Sequence, residues 1–155
     1  MRRTMPTLLL VALVALSLAA CNREPKPDHK GVFIVVGGEI MEISAVNVET
    51  EFTEEGFAIN SFHGEPKVRM RGSDYYFVLY GDYKPTDYTK FDERPNRRYE
   101  QSSTATYTAD LTIGPVKGEP EMQKVKCTRV LGPGIYVLTV QQGQAALHFP
   151  IEKLE

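Results

Sequence analysis

Apolar and polar side chains alternate along most of this chain, and glycine-containing turns separate the alternating stretches. A period of two residues is typical of β-strands whose two faces meet different surroundings. After residue 104 the alternation places Ala105, Tyr107, Ala109, Leu111 and Ile113 on one face. Four threonines lie on the other face: Thr104, Thr106, Thr108 and Thr112. Outside the first 20 residues, no stretch has the 3.6-residue apolar period of an amphipathic helix.

The pattern predicts an all-β fold, a small β-sandwich (Ig-like) or barrel-like domain over residues 31–155. Strands are expected at residues 31–36, 39–43, 46–52, 56–62, 67–71, 75–80, 135–140 and 147–151. Gly37 and Gly38 predict a tight hairpin turn, because glycine readily adopts positive φ. The segment Pro133-Gly134-Ile135-Tyr136-Val137-Leu138 resembles the closing strands of bacterial β-sandwich modules, a resemblance of fold alone.

Residues 81–103 lack this alternation and combine aromatic with basic side chains. A structureless loop of about 20 residues is uncommon in a compact domain and is often functional. Such a combination suits a glycan, an anionic polymer or a partner protein. The candidate partner-binding residues are Tyr83, Tyr88, Phe91, Arg94, Arg97, Arg98 and Tyr99. The alternative is a loop that covers the edge of a sheet.

The N-terminus has the composition of a secretory signal. Arg2 and Arg3 precede an apolar run over residues 8–20 that ends in Leu18-Ala19-Ala20-Cys21. The run is shorter than the roughly 20 residues that span a bilayer, so a retained transmembrane anchor is not expected. Its last four residues resemble the lipobox of bacterial lipoproteins.

The resemblance implies removal of residues 1–20 as a signal peptide and acylation of Cys21. Two or three acyl chains would anchor the protein stably in a membrane. Residues 21–30 would then be a lipidated cysteine with a polar tether. Asn22 occupies the position where aspartate signals inner-membrane retention in such proteins, so an outer membrane location facing the periplasm is expected in a Gram-negative cell.

Without residues 1–20 the side chains include 16 basic and 20 acidic groups, a balance of about −4 that argues against a general nucleic-acid binder. The only other cysteine, Cys127, lies in a predicted strand beside Val125. We expect a buried thiol there; a reactive or intermolecular cysteine is the alternative.

Signals for catalysis and metal binding are weak. His29, His63 and His148 lack the spacing of metal ligands, and no nucleophile elbow, phosphate loop or dinucleotide fingerprint is present. Residues 31–66 contain seven glutamates and no lysine or arginine, which indicates a solvated acidic face, with calcium binding as the alternative. The threonine row is explained by a solvated strand face, and less readily by a sugar-binding array. No cofactor is expected.

These observations favour a lipid-anchored envelope protein that acts as a non-enzymatic binding or envelope-assembly module. Its expected partners are the membrane, through Cys21, and an envelope protein or glycan. The alternative is an accessory subunit of an envelope enzyme or transporter complex. A hydrolase with an unrecognised site is a third hypothesis, but the sequence shows no convergent catalytic set.

Overall fold

The computed structural model describes residues 24–106 and 110–155, with the side chains of residues 103–106 left aside. Within these residues the chain forms twelve β-strands and one short 3₁₀ turn, Pro95–Arg97. The strands are β1 Gly31–Val36, β2 Glu39–Glu42, β3 Glu49–Phe52, β4 Ala58–His63, β5 Arg69–Met70, β6 Tyr75–Tyr80, β7 Lys84–Arg94, β8 Arg98–Thr106, β9 Leu111–Val116, β10 Glu119–Cys127, β11 Gly134–Gln142 and β12 Ala145–Lys153.

Two sheets pack face to face, which confirms the predicted β-sandwich. Sheet A has the strand order β2-β1-β6-β10-β9, and sheet B the order β3-β4-β8-β7-β11-β12-β5. The strands of both sheets pair antiparallel, except β5, which runs parallel to β12. Among the described strands, five consecutive pairs form hairpins: β1–β2, β3–β4, β7–β8, β9–β10 and β11–β12.

The main core lies between the sheets and follows from the alternation along each strand. Tyr75, Phe77 and Leu79 of β6 point into it from sheet A, and Tyr136 and Leu138 of β11 from sheet B. These side chains are almost completely buried. Burying an aliphatic or aromatic side chain contributes roughly 1.5–3 kcal/mol, so this layer is the main source of stability.

The outer face of each sheet also carries buried apolar side chains. The sheet A outer cluster comprises Phe33, Val35, Val78, Val116 and Met122. The sheet B outer cluster comprises Phe62, Phe91, Tyr99, Ile135 and Val137, with Val46 and Val48 packed against it. β3 and β12 lie towards opposite ends of sheet B. Val46, three residues before β3, nevertheless forms a bridge with His148 of β12, so the sheet curls around its outer cluster.

Two sequence predictions about strands were wrong. Residues 81–103 do not form a loop, because they contain β7, the 3₁₀ turn and most of β8. A register shift between Thr89 and Phe91 interrupts the alternation there, so period two is lost although the strands are long. The predicted strand through residues 104–113 is also divided: β8 ends at Thr106 in sheet B, and β9 begins at Leu111 in sheet A. Thr108 lies outside the described residues.

Candidate functional site

The aromatic members of the predicted binding segment are core residues. Tyr88 is 0% exposed, while Phe91 and Tyr99 are each 4% exposed. Tyr88 belongs to the core between the sheets, where its hydroxyl lies 2.6 Å from that of Tyr75. Phe62 contacts both Phe91 and Tyr99, with ring centroids 5.4 and 5.0 Å away. These three aromatic side chains therefore cannot form an exposed binding surface, and that part of the prediction is corrected.

The arginines of the same segment are paired with glutamates. Arg94 Nε lies 3.0 Å from Glu100, and Arg98 donates from Nη2 to Glu51 at 2.9 Å. Arg97 Nε lies 3.6 Å from Glu65. Each positive charge has a negative neighbour, so these arginines do not form a patch of unpaired positive charge.

The seven predicted residues also do not converge on one place. Tyr83 precedes β7 and packs against the core, and its carbonyl accepts a bond from Gln123 of β10. The three arginines lie at the opposite end of β7, around the 3₁₀ turn. Asn96 and Arg97 have φ of 65° and 55°, as a tight hairpin turn requires. Their segment is a structural hairpin with ion pairs at its tip.

A polar cleft lies on the outer face of sheet B. Its volume is about 160 Å³, and its walls are Val48, Asn60, Asp87, Thr89, Phe91, Gln101, Thr139 and His148. The polar groups bind one another: Thr50 donates to Asn60, which donates to Gln101, each at 2.7 Å. The Thr139 hydroxyl lies 3.1 Å from Nδ1 of His148.

His148 is half-buried in this cleft. Burial lowers the pKa of His148 below its ordinary value, and the charge of Asp87 acts in the opposite direction. The lowered pKa favours the neutral imidazole, and its hydrogen bond with the Thr139 hydroxyl satisfies a polar group that is partly buried. The cleft is therefore explained by internal hydrogen bonding.

A second cavity, of about 300 Å³, lies beneath the chain that leaves β2. Segments 43–46 and 63–68 line it together with Pro150. Its carboxylate, Glu65, is within ion-pair distance of Arg69 and Arg97. Among the described residues, no group of three or more His, Cys, Asp and Glu side chains is arranged to hold a metal ion.

Sequence analysis predicted the two strands of the β3–β4 hairpin, hereafter the acidic arm (residues 49–63), but missed its exposed aromatic side chains. All four residues of β3 are exposed, and β3 is the last strand on its side of sheet B. Near the turn, Phe52 is 74% and Phe57 67% exposed. Buried aromatic side chains are the rule for this domain, so two exposed rings on one turn are distinctive.

Hydrogen bonds hold the turn of the acidic arm. Thr53 N donates to the carbonyl of Phe57 at 2.9 Å, and Phe57 N donates to the Thr53 hydroxyl at 3.1 Å. Gly56 has φ of +85°, which only glycine adopts without strain, and its N–H donates to the Thr53 carbonyl. The two rings are therefore presented by an ordered turn.

The register of the acidic arm leaves backbone groups of β3 pointing outward. Bonded pairs alternate along an antiparallel ladder, and Thr53 and Phe57 form a bonded pair. In the register Glu51↔Ile59 and Glu49↔Ser61, the bonds to β4 fall on Glu51 and Glu49. The N–H and C=O groups of Thr50 and Phe52 therefore face away from β4.

Cys127 is buried, as predicted, and forms no disulfide; its thiol donates to the carbonyl of Arg129 at 3.8 Å, and burial raises the pKa of the thiol. Cys21 lies outside the described residues. No described helix is long and apolar enough to cross a membrane.

Comparisons with protein-family models, with characterised proteins and with solved structures find no match to this chain. The geometry of the described residues and the sequence of the N-terminus therefore supply the support for a functional assignment.

Proposed function

We propose that this chain is a lipid-anchored protein of the bacterial cell envelope whose β domain is a non-enzymatic binding module. The anchor would be acylated Cys21, supported by the charged start, the apolar run and the lipobox-like residues before it. In a Gram-negative cell, Asn22 favours the outer membrane, with the domain in the periplasm.

The observation that supports binding most directly is the exposed edge of the acidic arm. A free edge strand can pair with an extended segment of another protein, and its backbone groups then supply much of the affinity. Thr50 and Phe52 offer those groups, while Phe52 and Phe57 offer apolar anchors beside them. Exposed aromatic side chains are common centres of protein interfaces.

The charge of the acidic arm defines the partner. Glu49 and Glu51 lie on β3, Glu54 and Glu55 lie in the turn between Phe52 and Phe57, and of these four Glu51 pairs with Arg98. Two copies of the chain would place like charges together along β3, which disfavours self-pairing. Anionic lipids and anionic glycans are disfavoured as partners because the glutamates of the arm would repel their negative charges. The proposed partner is a protein segment in extended conformation with basic residues that flank apolar ones.

A short edge strand buries little area, and small interfaces are typical of reversible complexes. This favours a binding module that engages and releases its partner. A permanent accessory subunit, the alternative, would require contacts well beyond the four residues of β3.

The lipid anchor is tested by metabolic labelling with a palmitate analogue. We expect label in the unchanged protein and in Cys127→Ala, because Cys127 is buried in the domain. Cys21→Ser should lose the label and accumulate as an uncleaved precursor. Label that persists in Cys21→Ser would contradict the anchor.

The binding surface is tested by co-purification from detergent-solubilised envelopes. Phe52→Ser and Phe57→Ser should each lose a partner that the unchanged protein retains, and retention should weaken as salt rises. Val130→Ser is the matched control, since Val130 is 81% exposed and lies outside the arm. Equal loss in the control, or equal retention in all variants, would contradict the proposed surface.

A further inference from the structure

Residues 24–30, which belong to the predicted polar tether, lie along the outer face of sheet A. We call them the N-terminal strap. Glu24 is 2.6 Å from Lys124 of β10. Lys26 contacts Glu119 at 3.1 Å and donates to the carbonyl of Lys117 at 3.2 Å. The strap is therefore fixed to β10 and to the turn before it.

The second half of the N-terminal strap is held as well. His29 Nε2 lies 3.1 Å from Glu42 of β2, and its ring meets Phe33 edge-on with centroids 5.2 Å apart. Lys30 is 3.5 Å from Glu121. The charged side chains of the strap therefore form ion pairs with residues of β2 and of β10. A tether that moved freely would not keep these pairs.

The strap also covers apolar side chains of β1. Every residue from Gly31 to Val35 is buried, so β1 has apolar side chains on both faces. One face meets the main core, and the other belongs to the sheet A outer cluster. Pro27 is buried within the strap, and His29 covers Phe33. The strap is therefore an integral layer of the domain.

The docked strap shortens the link to the membrane. Cys21 is three residues before Glu24, and three residues reach at most about 11 Å when extended. A free segment from residue 22 to residue 30 would reach about 30 Å. An acyl group on Cys21 would thus hold the bilayer surface close to Lys124.

We propose that the outer face of sheet A, where the N-terminal strap begins, is the surface that faces the lipid bilayer. This inference rests on the proposed acylation of Cys21. In a two-layer sandwich the outer face of sheet B is then turned away from the bilayer. The acidic arm belongs to sheet B, so the membrane-distal layer presents its edge to a partner.

The test uses the full acylated protein in vesicles of phosphatidylethanolamine and phosphatidylglycerol with a headgroup-attached collisional quencher. A fluorophore is attached at Thr112→Cys, exposed on the outer face of sheet A, or at Ala146→Cys, exposed on the outer face of sheet B. We expect several-fold stronger quenching at position 112 than at position 146. Equal quenching, or stronger quenching at 146, would overturn the orientation.

Charge variants isolate the contribution of the strap. Lys124→Glu should reduce the difference between the two positions, because it places a negative charge beside Glu24. The double change Glu24→Lys with Lys124→Glu should restore it. A difference unaffected by Lys124→Glu would overturn the role of the strap.

Failure of the anchor itself has a different signature. A protein with no palmitate label that does not bind vesicles contradicts the proposed acylation, and the orientation with it. A labelled, vesicle-bound protein with equal quenching contradicts the orientation alone.

Discussion

Arg98 of β8 donates a hydrogen bond to Glu51 of β3 at 2.9 Å, across the intervening strand β4. β4 pairs with β8 only through residues 61–63, so the turn end of the acidic arm has few other ties to sheet B. Arg98 ties β3 directly to β8, whereas another side-chain link between these strands runs from Thr50 through Asn60 to Gln101.

Loss of this bond should loosen the acidic arm more than it lowers global stability. We expect Arg98→Ala to lower the free energy of unfolding by only about 1 kcal/mol, as for a solvent-accessible ion pair. Amide hydrogen exchange of Glu49 and Glu51, whose backbone groups bond to β4, should accelerate several-fold. Arg97→Ala is the control, because its partner Glu65 lies outside β3. Unchanged exchange in Arg98→Ala would contradict a role of the Arg98–Glu51 bond in holding β3.

The hydroxyl pair of Tyr75 and Tyr88 is buried between the sheets. Either Tyr→Phe change leaves the other hydroxyl without its partner, so each single variant should lose about 1–2 kcal/mol of stability. The double variant should lose less than the sum, and chemical denaturation of all four proteins measures this coupling. Strict additivity would contradict a direct bond.

The same pair predicts sensitivity to alkali. Burial raises the pKa of Tyr75 and of Tyr88 above the ordinary value of 10.0. The folded state favours the neutral tyrosines. Their contribution to the free energy of unfolding is therefore complete below pH 10, and it is lost as pH rises from 10 towards the raised pKa values of the folded state. The double Phe variant should lose less stability between pH 9 and about 11, as thermal unfolding would show. An identical alkaline decline would contradict this origin.

His29 provides a titration that reports on the N-terminal strap. Hydrogen bonds with Asp28 and then with Glu42 raise the pKa of His29 above 6.5. The ion pairs of protonated His29 with Asp28 and Glu42 are therefore complete below pH 6.5, and they are lost as pH rises through the raised pKa of His29. In NMR titrations Asp28→Asn should lower the pKa of His29 more than Glu42→Gln does.

The two variants should differ in their structural effect. Asp28 belongs to the strap, whereas Glu42 belongs to β2, so only Glu42→Gln removes a tie between strap and sheet. Faster exchange of strap amides is expected in Glu42→Gln alone. Equal effects of both changes would mean that His29 does not hold the strap to β2.

The sequence predicted much of the fold because alternation and glycine turns are local signals. The hairpin at Gly37 and Gly38 and the strand Tyr75–Tyr80 follow directly from them. The β7–β8 hairpin could not be found in this way, because the register shift near Thr89 breaks the period. The strap was missed because charge pairs such as Glu24 with Lys124 join residues 100 positions apart.

The candidate site required tertiary information for the same reason. The arginines near the 3₁₀ turn were predicted to contribute to a binding surface, but their partners include Glu51 and Glu65, which are distant in sequence. Conversely, Phe52 and Phe57 fall in two predicted strands, residues 46–52 and 56–62, which the structure pairs as β3 and β4. Alternation alone could not show that this hairpin lies at the edge of a sheet, where neither ring is covered.

The central claim is that the outward backbone of β3 pairs with a strand of another protein. A photoreactive amino acid at position 57 in living cells should capture that protein, and the crosslinked peptide should carry lysine or arginine beside apolar residues. Thr50→Pro removes one outward N–H at an edge position that tolerates proline. Thr50→Val loses the bond to Asn60 but keeps that N–H.

The direct measurement is the yield of the position-57 crosslink in these two variants, with protected amides at Glu49 and Glu51 to show that the acidic arm is intact. The account predicts that Thr50→Val retains the crosslink and Thr50→Pro loses it. Equal yield in both variants, or no crosslink in the unchanged chain, would contradict strand pairing at β3.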